Sequence, residues 1–549
     1  MKIWKRLTMI ALSSMMLFST FACGDTGTGS VTEDHEHKVF RRAGVTPTCQ
    51  KTGKLEHWEC TICDKLFADV ACTNEITATQ VNLPKADHTM TNHARVEATE
   101  TEHGNIEYWT CDVCDKYFSD AQGKSEITLA ETTLASLATL VDFLVTVPAD
   151  RDAVIVQIAD PQVIDSSQRR QGSTLSDEMI AIWGPDSREE RCYKYIREIV
   201  EETNPDLLLV SGDIIYGQYD DNGSVLQDFV AFMETLDVKW APVMGNHDIE
   251  SAKGASWQCQ QYENASNCLF KQGDIMGNGN YTIGIKQGEE LKRIVVNMDT
   301  NGCTGASQAS INNGQTVVHS TNGYGGNTYG TYGLQPDQVE WFKATVNNIK
   351  GFAPNVKITF HMHIAMNAFS EAYNEAYKDL VGSPVASVDA GKFTTSAVSK
   401  VLYPERVKGH REGDVGALIW LWDDGPDFWD VERINGAGKD NMIFKQMKAL
   451  GTDSIFVGHY HSNSLSVVHD GIRFQFGQKC SIYDTTQILK PNGTITSGNI
   501  YATTEGTPLV GGTVTPMDKE TGELKNAYIY YCTGAGKEID WAQYYNTIG

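Results

Sequence analysis

Trp240-Ala-Pro-Val-Met-Gly-Asn-His-Asp248 decides how this chain of 549 residues is read. Its first five residues are apolar and predict a short buried strand, which runs directly into Gly245-Asn246-His247-Asp248. The same grammar recurs on both sides. Ala153-Val-Ile-Val-Gln-Ile-Ala159 leads into Asp160-Pro161-Gln162, and Leu207-Leu-Leu-Val-Ser211 leads into Gly212-Asp213. Farther on, Val356–Phe360 ends at His361-Met362-His363, and Ser454–Val457 ends at Gly458-His459-Tyr460-His461. Arg293–Met298 predicts one more strand. Amphipathic patterns over residues 187–203, 225–236, 335–346 and 442–450 predict helices between them. Strands alternating with helices give an α/β layered core. In such a core, groups placed just after strands gather at the carboxyl ends of the sheet. Asp, His, Asn and Gln are donors that suit Mn, Fe or Zn, and one carboxylate can bridge two ions.

The ordered set of motifs resembles the calcineurin-like metallophosphoesterase superfamily, whose pattern is D-x-H, GD, GNH-[DE], a lone His, then GHxH. The resemblance covers roughly residues 150–490. It implies an α/β fold built as a two-layer β-sandwich flanked by helices, with a dinuclear metal centre. On this sequence it assigns one metal to Asp160, Gln162, Asp213 and His461. The other falls to Asp213 as bridge, with Asn246, His363 and His459. His247 becomes the catalytic histidine, and Asp248 the residue that orients its ring. Two divalent or trivalent ions (Mn, Fe or Zn) would activate water for attack on a phosphomonoester or phosphodiester. Gln162 stands where the family usually has His. Gly212-Asp-Ile-Ile-Tyr216 matches the GDxxY of the purple acid phosphatase-related branch. That branch has D-x-G at the first motif, however, so Tyr216 is read as a packing residue. His363 is preferred to His361 because Ile-Ala follows it, close to the family's His-Ile-Pro. The alternative is a cell-surface binding or adhesion protein with a merely structural metal site. His247 argues against that, since a structural site needs no extra imidazole.

The rest of the chain sets the context. With 45 Lys and Arg against 70 Asp and Glu, the formal charge is −25. That excess of acid argues against nucleic acid or an anionic membrane as partner. A bound metal still lets such a protein accept a phosphorylated small-molecule or surface substrate. Lys2, Lys5 and Arg6 precede the apolar run Leu7–Phe18, and Ala22 precedes Cys23. Residues 1–22 therefore resemble a bacterial lipoprotein signal peptide, which implies export and a lipid anchor on Cys23 at the cell envelope or surface.

Six of the 13 cysteines crowd into residues 49–114, within a repeat. Gly53-Lys-Leu-Glu-His-Trp-Glu-Cys60-Thr-Ile-Cys63-Asp-Lys-Leu-Phe-Ala-Asp69 returns 51 residues later as Gly104-Asn-Ile-Glu-Tyr-Trp-Thr-Cys111-Asp-Val-Cys114-Asp-Lys-Tyr-Phe-Ser-Asp120. The same offset carries His37 onto His88. The unit resembles tandem Cys/His knuckle repeats found ahead of catalytic domains in bacterial surface proteins. Structural zinc and disulfides both suit such small Cys-rich modules. For zinc, His37, Cys60 and Cys63 would be joined by Cys49 or Cys72. His88, Cys111 and Cys114 would be joined by His93 or His103. The expected organisation is a first repeat over 23–80, a second over 81–131 and a linker over 132–148. A phosphoesterase domain follows over 149–549, with an insertion at about 365–440 whose Trp420, Trp422 and Trp429 form either a hydrophobic lid or, the preferred reading, its own core. A disulfide between Cys259 and Cys268 is expected to pin the loop after the GNHD motif.

Overall fold

The structure is a computed structural model. It describes residues 35–170, 189–301, 309–312, 315–318, 334, 336–366, 368, 369, 372, 442–482, 485–489, 495–499, 507–532 and 537–538. The chain forms two compact units: residues 1–93 with 107–131, and residues 94–106 with 132–549.

The first unit contains two small antiparallel sheets built on the repeat. One joins Val39–Arg42, His57–Cys60, Leu66–Phe67 and Glu75–Ile76; the other joins Met90–His93, Tyr108–Cys111, Tyr117–Phe118 and Glu126–Ile127. Short strands of this kind enclose little apolar volume. Among the described residues, the buried hydrophobic side chains of the unit are Cys60, Phe67, Val81, Cys111 and Phe118.

In the second unit the long β-branched runs make the expected buried strands. Numbered within this unit, they are β1 (Phe143–Val147), β2 (Ala153–Ala159), β3 (Leu207–Val210), β4 (Trp240–Pro242), β5 (Tyr281–Gln287), β6 (Glu290–Asn297) and β7 (Lys357–His361). They continue as β8 (Thr452–Val457), β9 (Ser466–His469), β10 (Ile472–Phe476), β11 (Gln478–Lys479), β12 (Gly511–Met517), β13 (Tyr528–Tyr531) and β14 (Lys537–Glu538). One sheet has the order β1-β5-β6-β7-β8-β10-β9; the other runs β4-β3-β2-β12-β13-β14, with β11 also on β2. Helices α1 (Glu189–Thr203), α2 (Ser224–Glu234), α3 (Ala255–Glu263), α4 (Pro336–Phe352) and α5 (Met442–Ala449) connect strands. The central strands β2, β3 and β4 are mutually parallel, as are β6, β7, β8 and β10, so their carboxyl ends point the same way within each sheet. Where the sheets meet, Gln157 on β2 donates to Val457 O on β8 at 2.9 Å, and Gln475 on β10 donates to Gln157 at 3.0 Å. These bonds tie the layers of the sandwich together and satisfy amides that would be costly to bury alone.

Two expectations need correction. Residues 132–148 are not a linker. Thr133–Leu134 pairs with Gly104–Asn105, and β1 forms the edge of the first sheet beside β5. Phe143-Leu-Val-Thr-Val147 is a strand-forming run, and burying Val145 and Val147 draws it onto the sheet. Cys259 and Cys268 are buried free thiols. Cys259 packs into the core from α3, and Cys268 is held in a bridge beside Trp240, so each is occupied separately. Apart from residues 365, 366, 368, 369 and 372, the expected insertion and its three tryptophans lie outside the described residues.

Candidate metal centre

The carboxyl ends of β2, β3, β7 and β8 bring two groups of side chains together. Asp213, His363 and His459 form one; Asp160, Asp213 and His461 form the other, with ligand atoms inside each group within 4.8 Å of one another. Asp213 belongs to both, which is what a bridging carboxylate requires. The backbone is strained to achieve this. Asp160 (φ 51°), Gln162 (φ 49°), Asp213 (φ 49°) and His459 (φ 70°) all adopt left-handed conformations. Each costs a non-glycine residue about 1–3 kcal/mol, and such outliers cluster at functional sites. Neighbouring turns hold the strain in place: Gln162 N–H donates to Asp213 O at 2.9 Å and Val163 N–H to Ile214 O at 3.0 Å. Two glycines are required by close approach. A Cβ on Gly245 would lie 2.2 Å from Asp213 Oδ1, and one on Gly212 would lie 2.4 Å from His363 Nδ1.

Hydrogen bonding fixes the tautomer of His363. Its Nδ1 lies 2.6 Å from Ser211 O, which can only accept, so Nδ1 carries the proton. Nε2 then faces Asn246 Oδ1 at 3.0 Å and Asp213 Oδ2 at 3.3 Å. Asp213 Oδ2 and Asp160 Oδ1 are buried and accept no hydrogen bond. Buried oxygens converging on an imidazole nitrogen make a cation's environment, and the donor set fits a metal pair. Titration points the same way. Burial pushes the Asp213 carboxyl up, but the imidazoles of His363, His247 and His459 more than reverse this and hold it far below the carboxylate range. Burial pushes His363 down, but Asp213 and Asp160 lift it to about 9. The site draws in positive charge.

The remaining expected residues sit around this centre. His461 Nε2 lies 3.5 Å from Asp160 Oδ1 and 3.1 Å from Gln162 Nε2. The Gln162 oxygen accepts from Lys479 at 2.8 Å, so ligation through that oxygen requires the amide to turn over. Lys479 is fully buried and also donates to Asp160 O at 2.8 Å. His361 is in neither group: its ring nitrogens meet Asn297 Oδ1 at 2.8 Å and Ser211 Oγ at 2.9 Å. Burial and then the neighbouring His363 push it down to about 3.

His247 is oriented differently from expectation. Asp248 does not orient its ring. Asp248 Oδ1 accepts from the N–H groups of Ile214 and Ile215, at 2.9 and 3.1 Å, and Oδ2 accepts from Gly245 N–H at 2.7 Å. With both oxygens committed to backbone, Asp248 clamps the GD and GNHD turns together. The partner of His247 Nδ1 is Glu250 Oε2, at 3.0 Å. Tyr216 stacks on the His247 ring with centroids 3.9 Å apart, a packing role. Glu250 and Lys479 escape a reading by sequence. Glu250 lies just past the four-residue motif, and a lysine on the two-residue strand β11 carries no signature.

The first unit holds two further groups: His35, His37, Cys60 and Cys63, and Cys49, His88, Cys111 and Cys114. His35 has no histidine counterpart 51 residues on, so the repeat does not single it out. The fourth partners expected from the sequence are corrected. Cys72 occupies a left-handed turn (φ 58°) where the second repeat has Gly123 (φ 67°), so it serves the turn. His93 meets Thr110 Oγ1 at 2.9 Å and stacks on Tyr108, while His103 Nδ1 accepts from Ser136 N–H at 2.9 Å.

Residues 153–386 match the family model described as calcineurin-like phosphoesterase. Together with the sandwich and the shared Asp213, this makes residues 153–386 a calcineurin-like phosphoesterase domain, whose chemistry is metal-dependent phosphoester hydrolysis. No curated protein sequence is matched by the chain. Similar solved structures include a dimetal phosphatase from Danio rerio, at 10% identity and TM-score 0.34, with 66% of this chain and 95% of that one covered. Another is a 5'-nucleotidase precursor from Thermus thermophilus, at 15% identity and TM-score 0.26, with 72% and 58% covered. A phosphatase from Mycoplasma pneumoniae has 8% identity and TM-score 0.26, with 72% and 97% covered.

Proposed function

We propose that the second unit hydrolyses phosphomonoesters or phosphodiesters at a dinuclear centre held by Asp160, Asp213, Asn246, His363, His459 and His461, with Gln162 beside it. The observation that carries this reading is the membership of Asp213 in both ligand groups. Two ions of Mn, Fe or Zn, when bound, would polarise phosphoryl oxygens and lower the pKa of a water. His247 manages the proton of the leaving group. Glu250 meets Nδ1 and the Tyr216 stack fixes the ring plane, so the imidazole is oriented for proton exchange with the leaving oxygen. The two Cys/His groups of the first unit serve as structural zinc sites, apart from hydrolysis. The charged start, apolar run and Ala22-Cys23 support export as a lipoprotein anchored through Cys23, with a phosphorylated small molecule or surface group as substrate.

The test is turnover of alkyl and aryl phosphoesters by metal-stripped protein resupplied with Mn, Zn or Fe. Asp213→Asn should lose bound metal and turnover together. His247→Ala should keep its metal and lose turnover by ~10²–10⁴-fold, the scale of a general acid, with aryl esters suffering less. Metal loss in His247→Ala, or full activity on alkyl esters, overturns the role of this histidine. For export, acylation of Cys23 should disappear in Cys23→Ser.

A further inference from the structure

The two Cys/His groups do not divide between the repeats as the repeat itself divides. His88, Cys111 and Cys114 belong to the second repeat, but Cys49 belongs to the first. We propose that the second group is a zinc site built across the two repeats, in which Cys49 supplies the fourth ligand and locks one repeat onto the next. The proposal rests on the reading of these groups as zinc sites and adds who completes which.

The geometry suits a tetrahedral ion. With Zn–S near 2.3 Å and Zn–N near 2.0–2.1 Å, the edges of a tetrahedron are about 3.4–3.8 Å. In the second group Cys49 Sγ lies 3.8 Å from Cys111 Sγ, and Cys114 Sγ lies 3.5 Å from His88 Nδ1. In the first group the corresponding separations are 3.4 Å (His37 Nδ1 to Cys60), 3.6 Å (His37 Nδ1 to Cys63) and 3.7 Å (His35 Nε2 to Cys60). A disulfide between Cys49 and Cys111 would need a separation near 2.05 Å. The CxxC turns are built alike. The residue after each knuckle is left-handed (Asp64 φ 58°, Asp115 φ 56°), and its N–H returns to the first cysteine carbonyl, at 3.0 and 2.9 Å. Backbone N–H groups of Ile62 and Cys63 donate toward Cys60, and those of Val113 and Cys114 toward Cys111, as thiolate ligands need.

Register explains why Cys49 goes forward. At the 51-residue offset, His37 becomes His88, but His35 becomes Ala86 and Cys49 becomes Glu100. The second repeat therefore lacks the leading histidine that completes the first site. The turn that carries Cys49 sits at the start of the second repeat, where Ala86 N–H donates to Thr48 O at 3.2 Å. The equivalent turn after Thr99 makes the equivalent bond, from Leu137 N–H to Thr99 O at 3.1 Å. The sequence has no third CxxC knuckle for that turn to serve, and Glu100 pairs instead with Lys286. The series is directional. Each turn reaches into the next element, His35 takes the fourth place in the first group, and an ion pair stands where Cys49 stands one repeat earlier.

Cobalt substitution of the full chain tests this, because the five candidate thiolates all lie in the first unit and the phosphoesterase groups contain none. Thiolate-to-cobalt charge-transfer absorption should appear in the wild type. It should fall in Cys49→Ser by about one fifth if only that bond is lost, or by about three fifths if the ion leaves, and stay unchanged in Cys72→Ser. No such absorption in the wild type means that the zinc reading itself fails. Normal absorption that Cys49→Ser leaves intact overturns the link between repeats alone. Should the variant misfold, alkylation of zinc-loaded wild type decides: Cys49 should be protected until a chelator is added, while Cys72 reacts throughout. Equal reactivity of the two overturns the proposal.

Discussion

The two units gather metal-competent side chains by opposite means. In the phosphoesterase unit a large apolar interior comes first: two extensive clusters of buried side chains hold the strands whose ends carry the ligands. That rigidity lets four site residues be held in left-handed conformations. In the Cys/His unit the order is reversed. Cys60 and Cys111 are themselves among its few buried hydrophobic residues, so candidate ligands form part of the core. Where the fold is stable without an ion, the ion is free to serve chemistry. Where candidate ligands are part of a small core, an ion bound to them would serve the fold.

The largest effect that could break this contrast is metal removal. A strong chelator should abolish hydrogen-exchange protection over residues 35–93 and 107–131, while β2, β3, β7 and β8 stay protected and only activity is lost. Equal loss in both units would remove the distinction. Next comes Gly245→Ala, whose Cβ would meet Asp213 Oδ1 at 2.2 Å. It should displace the shared carboxylate and reduce metal content and turnover together. Gly254→Ala, at φ 78° with nothing within 4 Å of its Cβ, should cost only about 1 kcal/mol of stability and keep activity. A third pair separates orientation from clamping. Glu250→Gln should lower kcat by roughly 10–100-fold at unchanged melting temperature, the scale of losing a histidine's outer partner. Asp248→Asn should instead destabilise by about 1–3 kcal/mol, because one of its three backbone donors loses its acceptor.

How much of this is legible depends on sequence distance. Strand-to-motif junctions such as Val210-Ser-Gly-Asp213 read correctly because an apolar β-branched or Leu-rich run and its terminating ligand are local facts. An α/β layered core follows from their alternation with helices, the sandwich is what the family resemblance implies, and the match over residues 153–386 agrees with that family. Contacts across the chain are not legible. Lys479 meets Gln162 across 317 positions through the pairing of β11 with β2, and nothing local announces that pairing. Cys49 reads as a ligand of its own repeat because proximity in sequence is the only guide. β1 reads as linker because five residues beside a Thr/Ala/Leu-rich stretch are too short to declare a partner. Asp248 misleads because a carboxylate next to a histidine suggests orientation, whereas its burial beneath three backbone N–H groups makes it structural.

A smaller effect concerns a carboxyl that has no metal to serve. Asp220 is buried before α2 and accepts from Val225 N–H at 3.0 Å and Leu226 N–H at 3.1 Å. Burial still outweighs those donors and raises it to about 6 from the ordinary 3.8. The folded state then holds this proton more tightly than the unfolded chain, so the contribution to stability is full below pH 3.8 and declines as pH rises to 6. Asp220→Asn cannot titrate. The stability gap between wild type and variant should therefore shrink from pH 4 to pH 6 and stay level above, as denaturant midpoints across that range would show. A gap that widens with pH contradicts the assignment.

The smallest effect tests the first unit from within. In each repeat a threonine caps a single helical turn: Gln80 N–H donates to Thr77 Oγ1 at 3.3 Å, and Thr77 N–H returns a bond to Gln80 Oε1 at 2.8 Å. The second repeat copies this with Glu131 N–H to Thr128 Oγ1 at 3.3 Å and Thr128 N–H to Glu131 Oε2 at 2.6 Å. Such a box is normally worth ~0.5–2 kcal/mol. If the ligand groups provide the core, Thr128→Ala should subtract about that much from the unit's stability at any fixed zinc concentration and leave zinc stoichiometry unchanged, because the cap shapes the turn and not the knuckle. The substitution should also leave turnover untouched, since no residue of the box enters a ligand group of the phosphoesterase unit. Zinc titration followed by circular dichroism, with turnover measured alongside, would check both statements. Loss of a zinc equivalent on so modest a change would mean that local helix, and not metal ligation, sets the fold of the repeat.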